Sequence, residues 1–429
     1  MLSVRQRLCA MMFLQYFTWG AWGVSLGGYM AKVLLFEGKQ IGSVYSSTAI
    51  GAMISPLFLG YVADRLLATE RLLSLLHIGG AVLLGVAATT TEFPYLYAVM
   101  VGYALLYMPT LALSNSISFE NIRDPEQEFP LIRVFGTVGW IVAGLIVGFV
   151  LDRDGPTRWP IVMAATSSAL LGLFCLALPH TPPKGAGGAA SGGAVSGDAP
   201  RAGQRRGIAT LLTDPSFVVF VVASFLVCIP LAFYYNLANV FLVDIDAWRP
   251  TALQTLGQMS EVFFMAMMPW FIIRLGVKRM LAVGMLAWVV RYLLFGTIFF
   301  PAIVVGILLH GICYDFFFVA SQIYVDNKAD LAQRARAQSF IAFITLGLGM
   351  FVGAYVSGFV FDRYFPPQPA TPGVQGDWFY VWAWPAVGAG VTLIFFWFGF
   401  RDETSPKVLE EMAREAPTGA GEGPEPQVG

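Results

Sequence analysis

Three observations predict an all-α, polytopic membrane protein. Of the 429 residues, 57% are apolar and only 12% are charged. The apolar residues also fall into twelve runs separated by charged or Gly/Pro-rich breaks. Twelve membrane helices of roughly 20 residues each need about 240 residues, which this apolar content supplies. A mean hydropathy of +0.67 and half the usual charge exclude a soluble enzyme or a disordered chain. The formal charge of −1 offers no basic field for nucleic acid. Cys9, Cys175, Cys228 and Cys313 all sit inside apolar runs, the placement of packed thiols rather than of a disulfide or metal framework.

The spans run approximately over residues 9–33, 41–63, 72–91, 95–118, 131–151 and 159–179, then 216–243, 253–273, 280–299, 302–325, 338–361 and 379–400. Arg5 and Arg7 precede the first run as in a signal peptide, but that run continues well past 15 residues without a small-residue cleavage site. It is therefore read as a retained helix. With the amino terminus inside, 18 of the 26 Lys and Arg residues fall in inside segments and six in outside ones. Arg133 and Arg291 remain within spans. This bias places both termini in the cytoplasm of a protein of the inner membrane. Residues 180–215, rich in Gly, Ala, Ser and Pro, read as a flexible cytoplasmic linker. The chain thus divides into an N-terminal six-helix bundle (1–179), the linker, a C-terminal six-helix bundle (216–400) and a cytoplasmic tail (401–429).

The two halves repeat one another. GFVLDR at 148–153 recurs as GFVFDR at 358–363, Tyr107 pairs with Tyr314, and Pro56 with Pro269, at offsets of 210, 207 and 213. An even six-helix repeat keeps its orientation, giving parallel repeats about an axis normal to the membrane with a cavity between them. Gly60, Asp64 and Arg65 follow as G-x-x-x-D-R at the cytoplasmic end of span two. There Gly permits close helix approach, and the charges can engage helix ends. This pattern resembles the gating loop motif of the major facilitator superfamily. With twelve spans divided six and six, it implies that superfamily's two-bundle fold.

Ionisable groups at mid-membrane cost several kcal/mol and therefore face a cavity or a partner. Five stand out: Arg133, Glu261, Arg291, His310 and Asp315. Arg133, Thr137 and Trp140 lie at i, i+4 and i+7 on one face of span five. A guanidinium, a hydroxyl and an aromatic plane in one stripe suit a polyhydroxylated, ring-bearing solute. Gln258 and Glu261 share a face of span eight. His310 and Tyr314 share a face of span ten, with Asp315 about 100° further round. A cavity acid balanced between burial and a nearby Arg can exchange a proton, which makes Asp315 the first candidate for proton coupling and Glu261 the second. Arg291 in span nine is assigned a structural pairing. Weaker candidates are Gln15, Trp19 and Trp22 in span one, Tyr45, Ser46 and Ser47 in span two, and Tyr234, Tyr235, Asn236 and Asn239 in span seven.

FPLIRVFGTVGW, VYSS, YMPTLALSNSIS, QMSE, AWVVRYLLFG and YDFFFVASQ together resemble the nucleoside:proton symporter family of the major facilitator superfamily. The resemblance implies proton-coupled nucleoside uptake by a monomer embedded in the bilayer, without cofactor, metal or catalytic residue. It also implies substrate contacts at Arg133, Thr137, Trp140, Gln258, Glu261, His310, Tyr314 and Asp315. This chain departs from the family pattern at Ala232 to Tyr235, where an amide is typical, at His310, typically Tyr, and at Trp140, typically a smaller aromatic. The Arg, Gly-Thr, Gly-Trp pattern of span five is also similar to that of oligosaccharide:proton symporters, so a disaccharide permease is the alternative. A transporter-like receptor would share these features. An intramembrane aspartyl protease is excluded by the lack of a Gly-x-Gly-Asp partner for Tyr314-Asp315.

Overall fold

The computed structural model describes residues 2–65, 67–183, 208–329, 333–365 and 376–402. Among them the regular structure is helical throughout. Eight helices are, on their own, long and apolar enough to cross a membrane. In the N-terminal half, α1 runs Val4–Gly23 and resumes as Leu26–Lys32, followed by α2 (Gly38–Arg65), α3 (Thr69–Ala87) and α4 (Phe93–Glu120). Next come α5 (Pro125–Ile146, extended by a π-helical turn Val147–Leu151) and α6 (Trp159–Cys175).

In the second half, α7 is Pro215–Asp244 and α8 is Pro250–Ala266, continued over 268–275. α9 covers 277–296, and α10 spans Phe300–Lys328. α11 runs from Arg334 to Tyr364, and α12 is Trp378–Gly399. Much of the linker (184–207) and the tail from 403 lie outside the described residues, as do the side chains of Gly60, Asp64 and Arg65 at the end of α2.

Local chemistry explains the breaks. Where α1 is interrupted, the Tyr45 hydroxyl donates to the Gly23 carbonyl (3.2 Å) and accepts from the Gly27 amide (2.8 Å), so both freed backbone groups keep partners in lipid. Pro269 cannot donate and crowds the carbonyl four residues back, which accounts for the interruption of α8 at Met267. The sequence predicts a loop near 274–279. Instead, a single left-handed glycine, Gly276 (φ 67°), turns the chain from α8 into α9.

Each half buries its own core. Two clusters drawn from residues 8–178 fill the first half, and one from 217–400 fills the second. In the first half α1 packs on α5 and α6, α3 on α4 and α6, and α2 on α4. In the second, α7 packs on α11 and α12, α8 on α10, and α9 on α12. The halves meet along α2–α11 and α5–α8, with the end of α1 on α7. At several points along that seam backbone meets backbone. A β-carbon on Gly42 would strike the Ala354 carbonyl, and one on Gly148 would stand 2.6 Å from the Ala252 β-carbon.

Polar contacts across the seam gather at one end, the end opposite the two termini. Lys32 pairs there with Asp244, which also accepts from Trp378 Nε1 at 2.7 Å. Asp362 accepts from the amides of Gly38 (2.5 Å) and Lys39 (3.0 Å), capping α2 from the other half. Arg249 reaches the Arg153 carbonyl. At the terminal end the contacts named next stay within one half: Arg7 to the Ala177 carbonyl, Glu70 to His180, Asp214 to Lys328, and Lys278 to the Phe400 carbonyl.

Candidate functional site

From the first half, α5 presents Arg133, Thr137 and Trp140, all partly exposed. The Arg133 guanidinium carbon stands 4.2 Å above the Tyr16 ring of α1, a cation–π contact that fixes the charge. It lies so close to its own helix that a β-carbon at Gly136 would sit 2.9 Å from Nη1. Trp140 meets Trp19 edge to face, with ring centroids 5.4 Å apart at 70°. α1 therefore braces two of the three side chains of the stripe.

The opposing wall comes from α8 and α10. Gly257 lets α8 approach His310 closely, since a β-carbon there would meet that of His310 at 3.1 Å. The Gly311 amide donates to Ser260 Oγ at 2.9 Å and ties the two helices together. This brings His310 Nε2 to 3.8 Å from Glu261 Oε2. The His310 ring lies 5.8 Å from that of Tyr314 and 5.2 Å from that of Tyr234 on α7. Gln258 is buried one turn before Glu261, whereas Glu261 and Tyr314 are partly exposed.

The two walls face one another. Glu261 lies within electrostatic reach of Arg133, and Tyr16 and Tyr314 each lie within reach of both charges. Arg133, Glu261, Tyr16 and Tyr314 thus lie together between the halves, in one cluster to which both contribute. Asp315 is near enough to Glu261 to feel its charge, but it is fully buried, and neither carboxylate oxygen has a hydrogen-bond partner among the described residues. It opens a π-helical turn, Asp315–Val319, in α10, a local widening of the helix that recurs at functional positions.

Arg291 is paired, and its partners are a histidine and aromatic rings. The fully buried guanidinium lies with its carbon 3.5 Å over the Tyr234 ring and with Nη1 3.1 Å from His310 Nδ1. Arg291 therefore belongs to the same cluster as His310 and Glu261. Tyr16 and Tyr234 join that cluster too. Tyr234 was marked only by its polar, aromatic neighbourhood in span seven, and Tyr16 by nothing beyond the aromatic character of span one. Among the weaker candidates, Gln15 is absorbed into a closed network: it donates to Thr110 Oγ1 (2.7 Å) and its amide oxygen meets His77 Nε2 (2.8 Å). Asn236 and Asn239 are engaged by Ser357, and by Thr251 and Gln254.

Comparison with known proteins agrees with this architecture. The family model described as Nucleoside H+ symporter matches residues 2–405. YegT of Escherichia coli is 38% identical, with 92% of this chain and 93% of that protein aligned. The xanthosine permease of Escherichia coli is 33% identical over 96% of this chain and 99% of its own length. The crystal structure of the nucleoside transporter NupG superposes with a TM-score of 0.81 at 29% identity, covering 93% of this chain and all of that one. With a family match over nearly the whole chain and a shared two-bundle helical architecture, the protein belongs to the nucleoside:proton symporter family, a group of transporters on the major facilitator fold.

Proposed function

We propose that this protein takes up nucleosides together with protons across the inner membrane, by alternating access around the chamber between its halves. The observation that carries this reading is a juxtaposition across the halves: Arg133 and Tyr16 from one confront Glu261 and Tyr314 from the other within electrostatic range. A solute lodged there touches both bundles and so senses their relative position. Arg133, Gln258 and Glu261 would engage ribose hydroxyls by charge-assisted hydrogen bonds, Thr137 would add a hydroxyl, and Trp140 and Tyr314 would stack on the base or sugar. The names of the relatives, xanthosine permease and nucleoside permease NupG, support this substrate class.

In this reading residues 1–179 and 216–400 are the two rocking bundles, joined by the 180–215 linker, and 401–429 form a tail. Both termini are cytoplasmic, as the distribution of Lys and Arg favours. The latched end is then periplasmic and the described conformation faces inward. Asp315 is the first candidate for the proton carrier, because a buried carboxylate without a partner is tolerated in a closed bundle most readily when neutral. Glu261 is the second. Gly60, Asp64 and Arg65 would limit opening at the cytoplasmic face. One chain supplies both walls of the chamber, so a monomer suffices.

Purified protein in liposomes tests the assignment. An inward proton gradient should drive accumulation of labelled uridine, adenosine or xanthosine, and an uncoupler should abolish it. Uptake of a disaccharide with no uptake of any nucleoside would replace this reading with the sugar permease. Saturable binding without flux would make the protein a receptor.

A further inference from the structure

We infer that Arg291 is a positioning residue that sets the tautomer of His310 and so presents an Nε2–H donor beside Glu261 in the chamber. The inference rests on the nucleoside-transport reading only for its choice of ligand. Arg291 is 0% exposed and His310 1% exposed. A guanidinium carries five donors and no acceptor, and in proteins it does not lose its proton. With Arg291 Nη1 at 3.1 Å from His310 Nδ1, that nitrogen must be the acceptor. A doubly protonated imidazole has no acceptor and would set N–H against N–H. The neutral ring therefore carries its proton on Nε2, the nitrogen directed at Glu261 Oε2.

Two further contacts hold the pair rigid. The guanidinium lies 3.5 Å over the Tyr234 ring, with Trp288 and Phe295 at 5.4 and 5.5 Å, so its plane is fixed by aromatic faces. Tyr234 in turn stands 5.2 Å from the imidazole. Arg291 has no carboxylate within ion-pair distance among the described residues, and its Nε and Nη2 lack hydrogen-bond partners there. Its charge is answered by aromatic faces, by the neighbouring Cys313 thiol and, through the imidazole, by Glu261. The 3.8 Å gap between His310 Nε2 and Glu261 Oε2 is too long for a direct hydrogen bond. A substrate hydroxyl seated beside the two groups can bridge them, accepting from the imidazole and donating to the carboxylate. A group that only accepts, or only donates, satisfies one side and leaves the other unpaired. Arg291 thus acts on hydroxyl recognition without touching the substrate.

The test has two parts. The chain contains three histidines, so nitrogen NMR of protein labelled with 15N-histidine, compared with H310Q, isolates the His310 signals. The expected form is neutral with the proton on Nε2; a proton on Nδ1, or on both nitrogens, overturns the inference. The second part measures uridine and 2′,3′-dideoxyuridine affinity by equilibrium binding to the purified protein. Arg291→Met should weaken uridine binding about tenfold and dideoxyuridine binding less than twofold. In the H310Y background, where no tautomer remains to be set, the same substitution should cost less than twofold for either ligand. Equal losses in both backgrounds would make Arg291 merely structural. If Arg291→Met does not fold, Arg291→Lys takes its place in the cycle, and the wild-type spectrum still decides the tautomer. Nε2 protonation in a protein that binds no nucleoside would sink the transport reading while sustaining the assignment of Arg291.

Discussion

Each half buries one histidine among its helices, and the two are wired in opposite ways. His77 on α3 is part of a closed circuit: Nε2 meets Gln15, Ser168 Oγ donates to the His77 carbonyl at 2.9 Å, Gln15 donates to Thr110, and Tyr107 returns a 2.6 Å bond to the Gln15 carbonyl. The named side chains each find a partner, as a scaffold in lipid requires. His310 on α10 sits in an open circuit. Arg291 saturates one nitrogen, the other stops 3.8 Å short of Glu261, and nearby Asp315 has both oxygens unmatched. Complete satisfaction fixes a bundle, whereas unspent hydrogen-bonding capacity at a chamber wall is left for a ligand or a proton.

The largest effect that could break this contrast is at Asp315. Asp315→Asn should lower the accumulation ratio of a nucleoside at least about tenfold, a change worth about 1.4 kcal/mol, while leaving counterflow exchange intact. Undiminished accumulation would move proton coupling elsewhere. Next, Glu261→Gln should weaken nucleoside binding by roughly 10- to 100-fold, the span expected for losing a charge-assisted hydrogen bond, as read by equilibrium binding. In the closed circuit the sign of the outcome reverses. His77→Ala should cost about 1–3 kcal/mol of stability in thermal unfolding but move the KM for uptake less than twofold. A large KM change there would erase the distinction between the halves.

The smallest effects concern the repeated GFVLDR and GFVFDR segments, whose aspartates have diverged in the same manner. Asp362 crosses the seam to cap α2, whereas Asp152 turns back to its own loop, accepting from the Thr157 amide and hydroxyl, both at 3.0 Å. Burial pushes the Asp152 carboxyl up to about 7, against the Thr157 hydrogen bonds that pull it down. A folded value above the unfolded value of 3.8 means that this group's contribution to stability falls as pH rises from about 4 through about 7. Asp152→Asn should flatten that part of a melting-temperature profile. Asp362→Asn should instead raise labelling from outside, at a cysteine introduced in place of Tyr16, by about fivefold, the population shift that roughly 1 kcal/mol produces.

Much of this molecule is legible in its sequence because lipid enforces simple rules. Apolar run length yields the spans, Lys and Arg counts suggest the orientation, and helical periodicity groups Arg133 with Trp140 and Gln258 with Glu261. These regularities are local to one helix. The pairing of Arg291 with His310, the stacking of Arg133 on Tyr16, and the reach of Asp362 across 323 positions to Lys39 depend on which helix lies beside which, and periodicity carries no such information. The turn at Gly276 escaped for a different reason: charged neighbours on both sides suggest a loop, yet one left-handed residue completes the reversal.

The backbone-to-backbone seam has a kinetic consequence. Where Gly42 lies on Ala354 and Gly148 on Ala252, backbone meets backbone and little side-chain bulk has to unthread when the bundles part. Resistance to the swing is concentrated instead in a few discrete clasps at the rim, Lys32 with Asp244 and Asp362 with α2. Turnover should therefore respond steeply to single changes at the rim and hardly at all to conservative repacking within either bundle.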